Sequence, residues 1–162
     1  GTIMTATYEQ VHALGWGYFE KLAKQNVLQE QSASAPPKKL SLGERAIQAD
    51  GNEYNIFQIK EKGGPVEPVY APEGTPQIVG PTGMFKAAPH PNAAKLFCSY
   101  SFTRECQQFL IDVGGLRSMH PQAKDKAGRK PIGQIKLLKD DVAGVMKESD
   151  QIKQHYLKLF HV

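Results

Sequence analysis

Residues 88–115, APHPNAAKLFCSYSFTRECQQFLIDVGG, contain the clearest structural pattern in this chain. His90 lies between two prolines, and a residue that precedes a proline avoids the helical backbone region. Asn92 can then cap a helix. The apolar positions of that helix have helical spacing: Ala93, Ala94, Leu96, Phe97 and Tyr100. The first half of the stretch therefore predicts a helix that starts near Asn92.

The second half of the stretch predicts another helix. Thr103 followed by Glu105 has the composition of a fresh N-terminus, with an acidic residue in the first turn. The glycine pair Gly114-Gly115 is a typical stop signal. The side chains that we expect this helix to turn inward are Cys106, Phe109, Leu110 and Val113.

Other parts of the chain contribute further helices and two strands. We expect helices over residues 2–26 and 53–62, a brief one opening at Pro36 or Pro37, and a final one from Ser149 onward. Residues 46–50 and 66–70 have the composition of short strands. Composition is that of an ordinary globular protein, with 40% hydrophobic and 22% charged residues.

Six segments of the chain resemble, in the same order, segments of the periplasmic solute-binding proteins of ABC importers. They are similar to the iron(III)-type extracellular family in particular. The segments are LGWGYFEKLAKQN, GERAIQAD, GGPVEPVYAPEGTP, APHPNAAKLF, GRKPIGQIKLLKDD and IKQHYLKLFHV. The resemblance extends over most of the chain.

The resemblance implies an α/β fold class. The chain would be the second lobe of a type II periplasmic-binding-protein fold, with a sheet flanked by helices. On this interpretation residues 1–162 form a single lobe, a fragment of a two-lobed protein. Residues 1–87 would be its ligand-facing part and residues 88–162 its C-terminal helical part.

Five residues are predicted to bind the ligand. Open α/β sheets bind ligands where a strand ends and a helix begins, which singles out Asp50 and Asn52. In the family, a turn at the position of Thr2 faces the cleft, and a loop near Ser32 offers polar groups. Glu73 would lie near the cleft rim. A simple N-cap accounts for Thr2 equally well, and the neighbouring Ser34 is either a further candidate or a cap.

Tyr54 is the predicted metal ligand. Iron-binding members of the family place consecutive tyrosines here, and phenolate oxygens are hard donors suited to iron(III). Asn55 stands where the second tyrosine would be, so the paired signature is missing. Asp50 or Glu53 could add a carboxylate, and a half-buried helix residue is the alternative interpretation of Tyr54.

The resulting functional prediction is non-catalytic capture of a small solute by hinge closure of two lobes. The resemblance implies a periplasmic location, a signal peptide upstream, a membrane permease as partner, and no cofactor apart from iron(III) or an anion as transported ligand. The +4 net charge is dispersed, so we expect no nucleic-acid partner. No catalytic motif is present, and we predict that the chain is not an enzyme. The alternative is a stand-alone interaction or oligomerisation module, and apolar surface along residues 88–115 would favour a homodimer.

Overall fold

The structure, a computed structural model, describes residues 2–162, with side chains from Ile3 onward. The described chain is helical. Its elements in order are α1 (Thr2–Leu14), α2 (Trp16–Ala23), α3 (Ala35–Ser41), α4 (Glu53–Glu61), α5 (Pro91–Ser101), α6 (Arg104–Asp112), a 3₁₀ turn (Ile132–Gln134) and α7 (Val142–Phe160). None of the described helices is both long enough and apolar enough to cross a membrane.

The predicted α/β fold class is wrong, because no sheet forms in the part of the chain that is described. Extended pairing there is confined to one parallel bridge, in which Thr75 exchanges backbone hydrogen bonds of 2.8 and 3.0 Å with Lys136 and Leu138. The predicted strands at 46–50 and 66–70 are irregular. Short apolar runs specify a strand only when neighbouring strands satisfy their backbone groups, and these two runs have no such neighbours.

The chain divides into two compact units, and each has its own core. The first unit comprises the described chain up to Gln29, together with Val69–Gly80 and Lys130–Val162, and so contains α1, α2 and α7. Its buried apolar side chains are Ala6, Tyr8, Phe19, Ile135 and Ile152. Trp16 of α2 stacks on His155 of α7 with 3.9 Å between the ring centroids.

Two helix boundaries in the first unit differ from the predictions. The single helix expected over residues 2–26 is broken at Gly15, whose φ of +74° is costly for any other residue. The final helix begins at Val142 rather than Ser149. Asp141 caps it by accepting a 2.9 Å hydrogen bond from the backbone N–H of Gly144.

The second unit comprises Glu30–Pro68 and Pro81–Arg129, and so contains α3 to α6. Its buried apolar side chains are Pro37, Ile56, Phe57, Val66 and Ile111. The helix predicted over residues 53–62 is confirmed as α4. Gly115, with φ of +70°, lies where a Cβ atom would come within 3.2 Å of the carbonyl oxygen of Tyr54. Glycine at this position therefore lets the end of the 88–115 stretch pack against the start of α4.

The two helices predicted in residues 88–115 are confirmed as α5 and α6, and the cap between them is Thr103. The first helix starts at Pro91, one residue before the predicted cap at Asn92. The predicted inward face of α6 is wrong in part: Cys106 and Leu110 are half-buried, but Phe109 and Val113 are 60% and 62% exposed, and the buried residue is Ile111 at 2%.

The physical reason for the rotation of α6 is a polar contact. The Gln107 amide donates to the carbonyl oxygen of Ser101 at 2.7 Å, where α5 ends, and its Oε1 accepts from the hydroxyl of Ser118 at 2.5 Å. Turning Gln107 inward satisfies a helix-terminal carbonyl that would otherwise lack a partner. The side chain of Phe109 is thereby left outside.

Candidate functional site

A polar loop lies against the first turn of α4 in the second unit. The Asn55 side-chain amide donates a 3.1 Å hydrogen bond to the carbonyl oxygen of Ala33, which holds the loop to the helix. The hydroxyls of Ser32 and Ser34 lie 3.0 Å apart, and both serines are exposed. We call the surface formed by Ser32, Ser34, Asn52 and Tyr54 the serine–α4 surface.

The helix terminus contributes electrostatics to the serine–α4 surface. Asn52 is the N-cap of α4 in an extended conformation, with φ of −81° and ψ of 121°, and its side chain makes no capping hydrogen bond. The first backbone N–H groups of a helix have no intrahelical acceptor, and the terminus carries partial positive charge. The positive end of α4 therefore lies in the same unit as the loop of Ser32 and Ser34, which the Asn55–Ala33 hydrogen bond holds to the first turn of the helix.

Glu53, considered as a possible metal ligand, is occupied by an arginine. Arg117 donates to both carboxylate oxygens of Glu53, from Nε at 2.9 Å and from Nη2 at 2.7 Å. A second carboxylate, Asp125, lies 2.9 Å from Nη1 of the same arginine. Bidentate guanidinium–carboxylate pairs are among the strongest hydrogen-bonded arrangements in proteins. Glu53 is therefore a structural residue that anchors α4.

Arg129 completes the network from inside the unit, although sequence reasoning counted it only as part of a dispersed positive charge. Its side chain is fully buried and donates to the carbonyl oxygens of Gly115 at 2.5 Å and Leu116 at 3.1 Å, and to Asp125 at 2.9 Å. Its guanidinium lies 4.4 Å from the ring centroid of Phe57. Only four of the twenty basic residues are arginines, and arginine is the preferred cation for buried ion pairs. An arginine at position 129 was therefore a sequence signal for a buried ion pair.

Tyr54 and Asp50 lie at the same end of α4. Tyr54 is half-buried, and its backbone packs against Gly115. Asp50 lies at the surface, and the protein atoms around its carboxylate displace water and raise its pKa. No group of three or more His, Cys, Asp or Glu side chains arranged to hold a metal occurs within the described residues. The proposed metal role of Tyr54 stays a prediction.

The remaining predicted site residues belong to the first unit. Thr2 begins α1, and its side chain lies outside the described part of the structure. Glu73 is exposed in the loop that precedes the bridge residue Thr75. The structure thus brings Ser32, Asn52 and Tyr54 together with Asp50 in one unit, and places Thr2 and Glu73 in the other.

The first unit contains a polar cluster between α1 and α7 that sequence reasoning did not identify. The Tyr8 hydroxyl donates a 2.9 Å hydrogen bond to Asp141, and His12 lies 3.0 Å from Glu148. Glu9 is buried, and neither of its carboxylate oxygens accepts a hydrogen bond of good geometry from the described residues. Burial and the negative charge of Asp140 raise the pKa of Glu9, and a weak interaction with the backbone of Gln77 opposes the shift.

Two open grooves lie on the surface of the described residues. One runs along α6 and the other along the end of α7, and neither is lined by a predicted ligand-binding residue. Comparison with known protein families, curated proteins and solved structures finds no match to this chain. The resemblance of the six sequence segments to solute-binding proteins therefore stays a prediction.

Proposed function

We propose that this chain is part of the solute-binding component of an ABC importer, and that it captures a small solute in the periplasm without chemical conversion. Two things support the proposal. Six segments occur in the order typical of such proteins. In addition, the Asn55–Ala33 hydrogen bond holds the loop that carries two exposed serine hydroxyls to the first turn of α4.

The chemistry of the serine–α4 surface favours an anion or a polar organic solute. Hydroxyls, a side-chain amide and the positive end of a helix all donate hydrogen bonds, which anionic oxygens accept. The charge of Glu53 is balanced by Arg117, so this carboxylate does not repel an anion. Iron(III) would instead require the phenolate of Tyr54 together with a carboxylate such as Asp50.

The mechanism that we propose is capture by closure. The solute contacts the serine–α4 surface first, and a second part of the protein then hinges over it. The closed form is presented to a membrane permease. Because closure depends on the bound solute, the ligand has to stabilise the closed form more than the open one.

Calorimetric titration tests the proposal. The probes are ferric citrate, inorganic phosphate, ethylphosphonate, spermidine and thiamine, added singly to the protein. We expect saturable binding of one of them. The double variant Ser32→Ala, Asn52→Ala should weaken that binding at least about tenfold, which corresponds to about 1.4 kcal/mol. The control Ser99→Ala, at an exposed position on α5, should bind as the unaltered protein does. Absence of binding to all five probes would count against the proposal.

One observation favours a second candidate, a stand-alone interaction module. None of the side chains of α5 is buried, and several of its large apolar side chains are exposed. Exposed apolar patches of this kind mark interaction surfaces in soluble proteins. Self-association without solute binding would favour the module over solute transport.

A further inference from the structure

Asp50 and Gly51 form the one place in the sequence where an aspartate or an asparagine precedes a glycine. The pair lies in the irregular segment before α4, and both residues are at the surface. Glycine has no Cβ atom to hinder the approach to its own backbone nitrogen, and its backbone is freer than that of any other residue. The pair therefore combines a carboxyl group with the least hindered backbone nitrogen that can follow it.

The backbone nitrogen of Gly51 is not engaged in the structure. Its N–H donates to no acceptor among the described residues. The segment is held instead by Gln48, whose side-chain amide donates a 2.6 Å hydrogen bond to the carbonyl oxygen of Asp50. Because no backbone hydrogen bond fixes the Gly51 nitrogen, it can approach the neighbouring carboxyl group without any loss of helix or strand.

The side chain of Asp50 is also without a partner among the described residues, since burial by surrounding protein atoms is the one influence on its pKa. This burial raises the pKa, because displaced water no longer stabilises the charged form. More of the carboxyl group is then neutral at a given pH. The neutral form is the better electrophile, because its hydroxyl group can leave as water.

We propose that Asp50 is a modification site, at which the folded chain isomerises spontaneously to isoaspartate. The backbone nitrogen of Gly51 attacks Cγ of Asp50, and the carboxyl hydroxyl leaves with the amide proton as water. The cyclic succinimide that results then takes up one water. When this water adds at the backbone carbonyl carbon of Asp50, the bond from that carbon to the Gly51 nitrogen breaks, and the main chain runs through Cγ. No atom is gained or lost overall, but the backbone is one methylene longer.

The modification changes the segment that leads into α4. The carbonyl oxygen that accepts from Gln48 becomes part of a free carboxylate, and the additional methylene lies two residues before the N-cap Asn52. This is the end of α4 that carries the serine–α4 surface. The inference does not rest on the proposed function, because the chemical identity of residue 50 is measured directly and without any solute.

Peptide mapping of the folded chain, after prolonged incubation at neutral pH and physiological temperature, tests the proposal. Trypsin releases residues 46–60 as one peptide. Isoaspartate is recognised in it by an unchanged mass, a shifted retention time and its own electron-transfer fragments. We expect Asp50 of the folded chain to isomerise within roughly tenfold of the rate in the free peptide of the same sequence, a difference of less than about 1.4 kcal/mol in the barrier.

Two controls locate the reaction. Gly51→Ala should slow it at least about tenfold, because a Cβ atom hinders the attacking nitrogen, and only the flexible end of Gln48 has to move to make room for that atom. Asp112, an exposed aspartate at the end of α6, should stay unmodified in the same sample. The N–H of the following residue, Val113, donates to the carbonyl oxygen of Phe109 at 2.9 Å and is therefore not available for attack.

Three results would overturn the proposal. The first is an unchanged Asp50 in the folded chain under conditions in which the free peptide isomerises. The second is isomerisation at Asp112 to the same extent as at Asp50, which would mean that the reaction follows unfolding rather than the local structure. The third is a Gly51→Ala variant that isomerises as fast as the unaltered chain.

Discussion

The hydroxyl of Tyr8 donates a hydrogen bond of 2.9 Å to Oδ2 of Asp141, and this bond connects α1 to the N-terminus of α7. Oδ1 of the same carboxylate accepts from the backbone N–H of Gly144 at 2.9 Å. The backbone hydrogen bond and then the Tyr8 hydroxyl hold the pKa of Asp141 below its ordinary value of 3.8. The ionised form of Asp141 therefore stabilises the first unit, and that contribution is lost as the pH falls below 3.8.

Asp141→Ala should lower the urea midpoint of the first unit, because it removes the helix cap and leaves the Tyr8 hydroxyl without its acceptor. Urea denaturation at neutral pH, followed by fluorescence of the single tryptophan Trp16 in the first unit, measures the loss. Asp150→Ala is the matched control, since it removes an exposed acid from the same helix. Equal losses in the two variants would refute the role of the cap.

Gly144 is predicted to resist substitution although it lies in a helix. A Cβ atom there would collide with the Tyr8 hydroxyl and come within 2.5 Å of Oδ2 of Asp141. We expect Gly144→Ala to destabilise the first unit by about 1–3 kcal/mol in urea denaturation, as overpacking does. Gly17→Ala, where a Cβ atom meets nothing within 4 Å, should instead stabilise it by about 0.5–1 kcal/mol.

The collision at Gly144 can be relieved. Tyr8→Leu removes both the hydroxyl and the ring carbon Cζ, which lies 2.6 Å from the Cβ position, so adding Gly144→Ala to this variant should cost clearly less than adding it to the unaltered chain. An equal cost in both backgrounds would show that Tyr8 is not the reason for glycine at this position.

Glu9 should make the first unit more stable in acid than in base. Burial raises the pKa of Glu9 above its ordinary value of 4.5, so the ionised form opposes folding. Stability is then retained below the ordinary value and lost as the pH rises through the raised pKa of the folded state. Glu9→Gln should abolish this loss and be the more stable protein at about pH 8, with a difference that shrinks toward about pH 4.

Thermal melting across that pH range, followed by Trp16 fluorescence, checks the prediction for Glu9. Glu20→Gln, at an exposed position of α2, is the control and should track the unaltered protein. If Glu9→Gln and the unaltered chain differ by the same amount at every pH, the carboxylate is not the titrating group.

The local helical structure could be predicted from the sequence better than the architecture could. The α4 helix and the Thr103 cap follow from residue type and spacing, which are local properties. The absence of a sheet could not be inferred from residues 46–50 and 66–70, because strand formation depends on partners distant in the chain. The rotation of α6 could not be inferred either, because it follows from the contact of Gln107 with Ser101 and Ser118.

The same distinction holds for the candidate site. The sequence predicted Thr2, Ser32, Asp50, Asn52 and Glu73 as ligand-binding residues. The structure connects the loop of Ser32 to α4 through Asn55 and Ala33, whereas Thr2 and Glu73 belong to the other unit. The network of Arg117 and Arg129 was missed, because its acceptors are a carboxylate on a remote helix and backbone carbonyls that no motif marks. Glu9 was missed for a similar reason, since its burial depends on packing between distant segments of the chain.

Arg129 is predicted to be the most sensitive charged residue of the second unit. Arg129→Met leaves the carbonyls of Gly115 and Leu116 without their donor and Asp125 with one cation fewer. A buried acceptor left without its donor typically costs about 1–3 kcal/mol, whereas Asp125 is exposed and keeps Arg117 as its partner. Arg129→Lys should also be destabilising, since an ammonium group cannot reproduce the planar fork.

Hydrogen exchange of the α4 amides measures the loss in the second unit directly. Arg45→Met, at an exposed arginine of the same unit, is the control and should change protection little. Unchanged α4 protection in Arg129→Met would show that the buried guanidinium does not hold this unit together.

Native mass spectrometry with metal analysis tests the central claim, solute capture, most directly. The protein is to be produced from its complete gene in a bacterial periplasm and purified without added ligand. We predict a bound small molecule or ion at one per chain, lost in the Ser32→Ala, Asn52→Ala variant; bound iron(III) would implicate Tyr54, and a metal-free solute would implicate Asn52. A protein that carries no bound species and takes up none of the five probes would contradict the account.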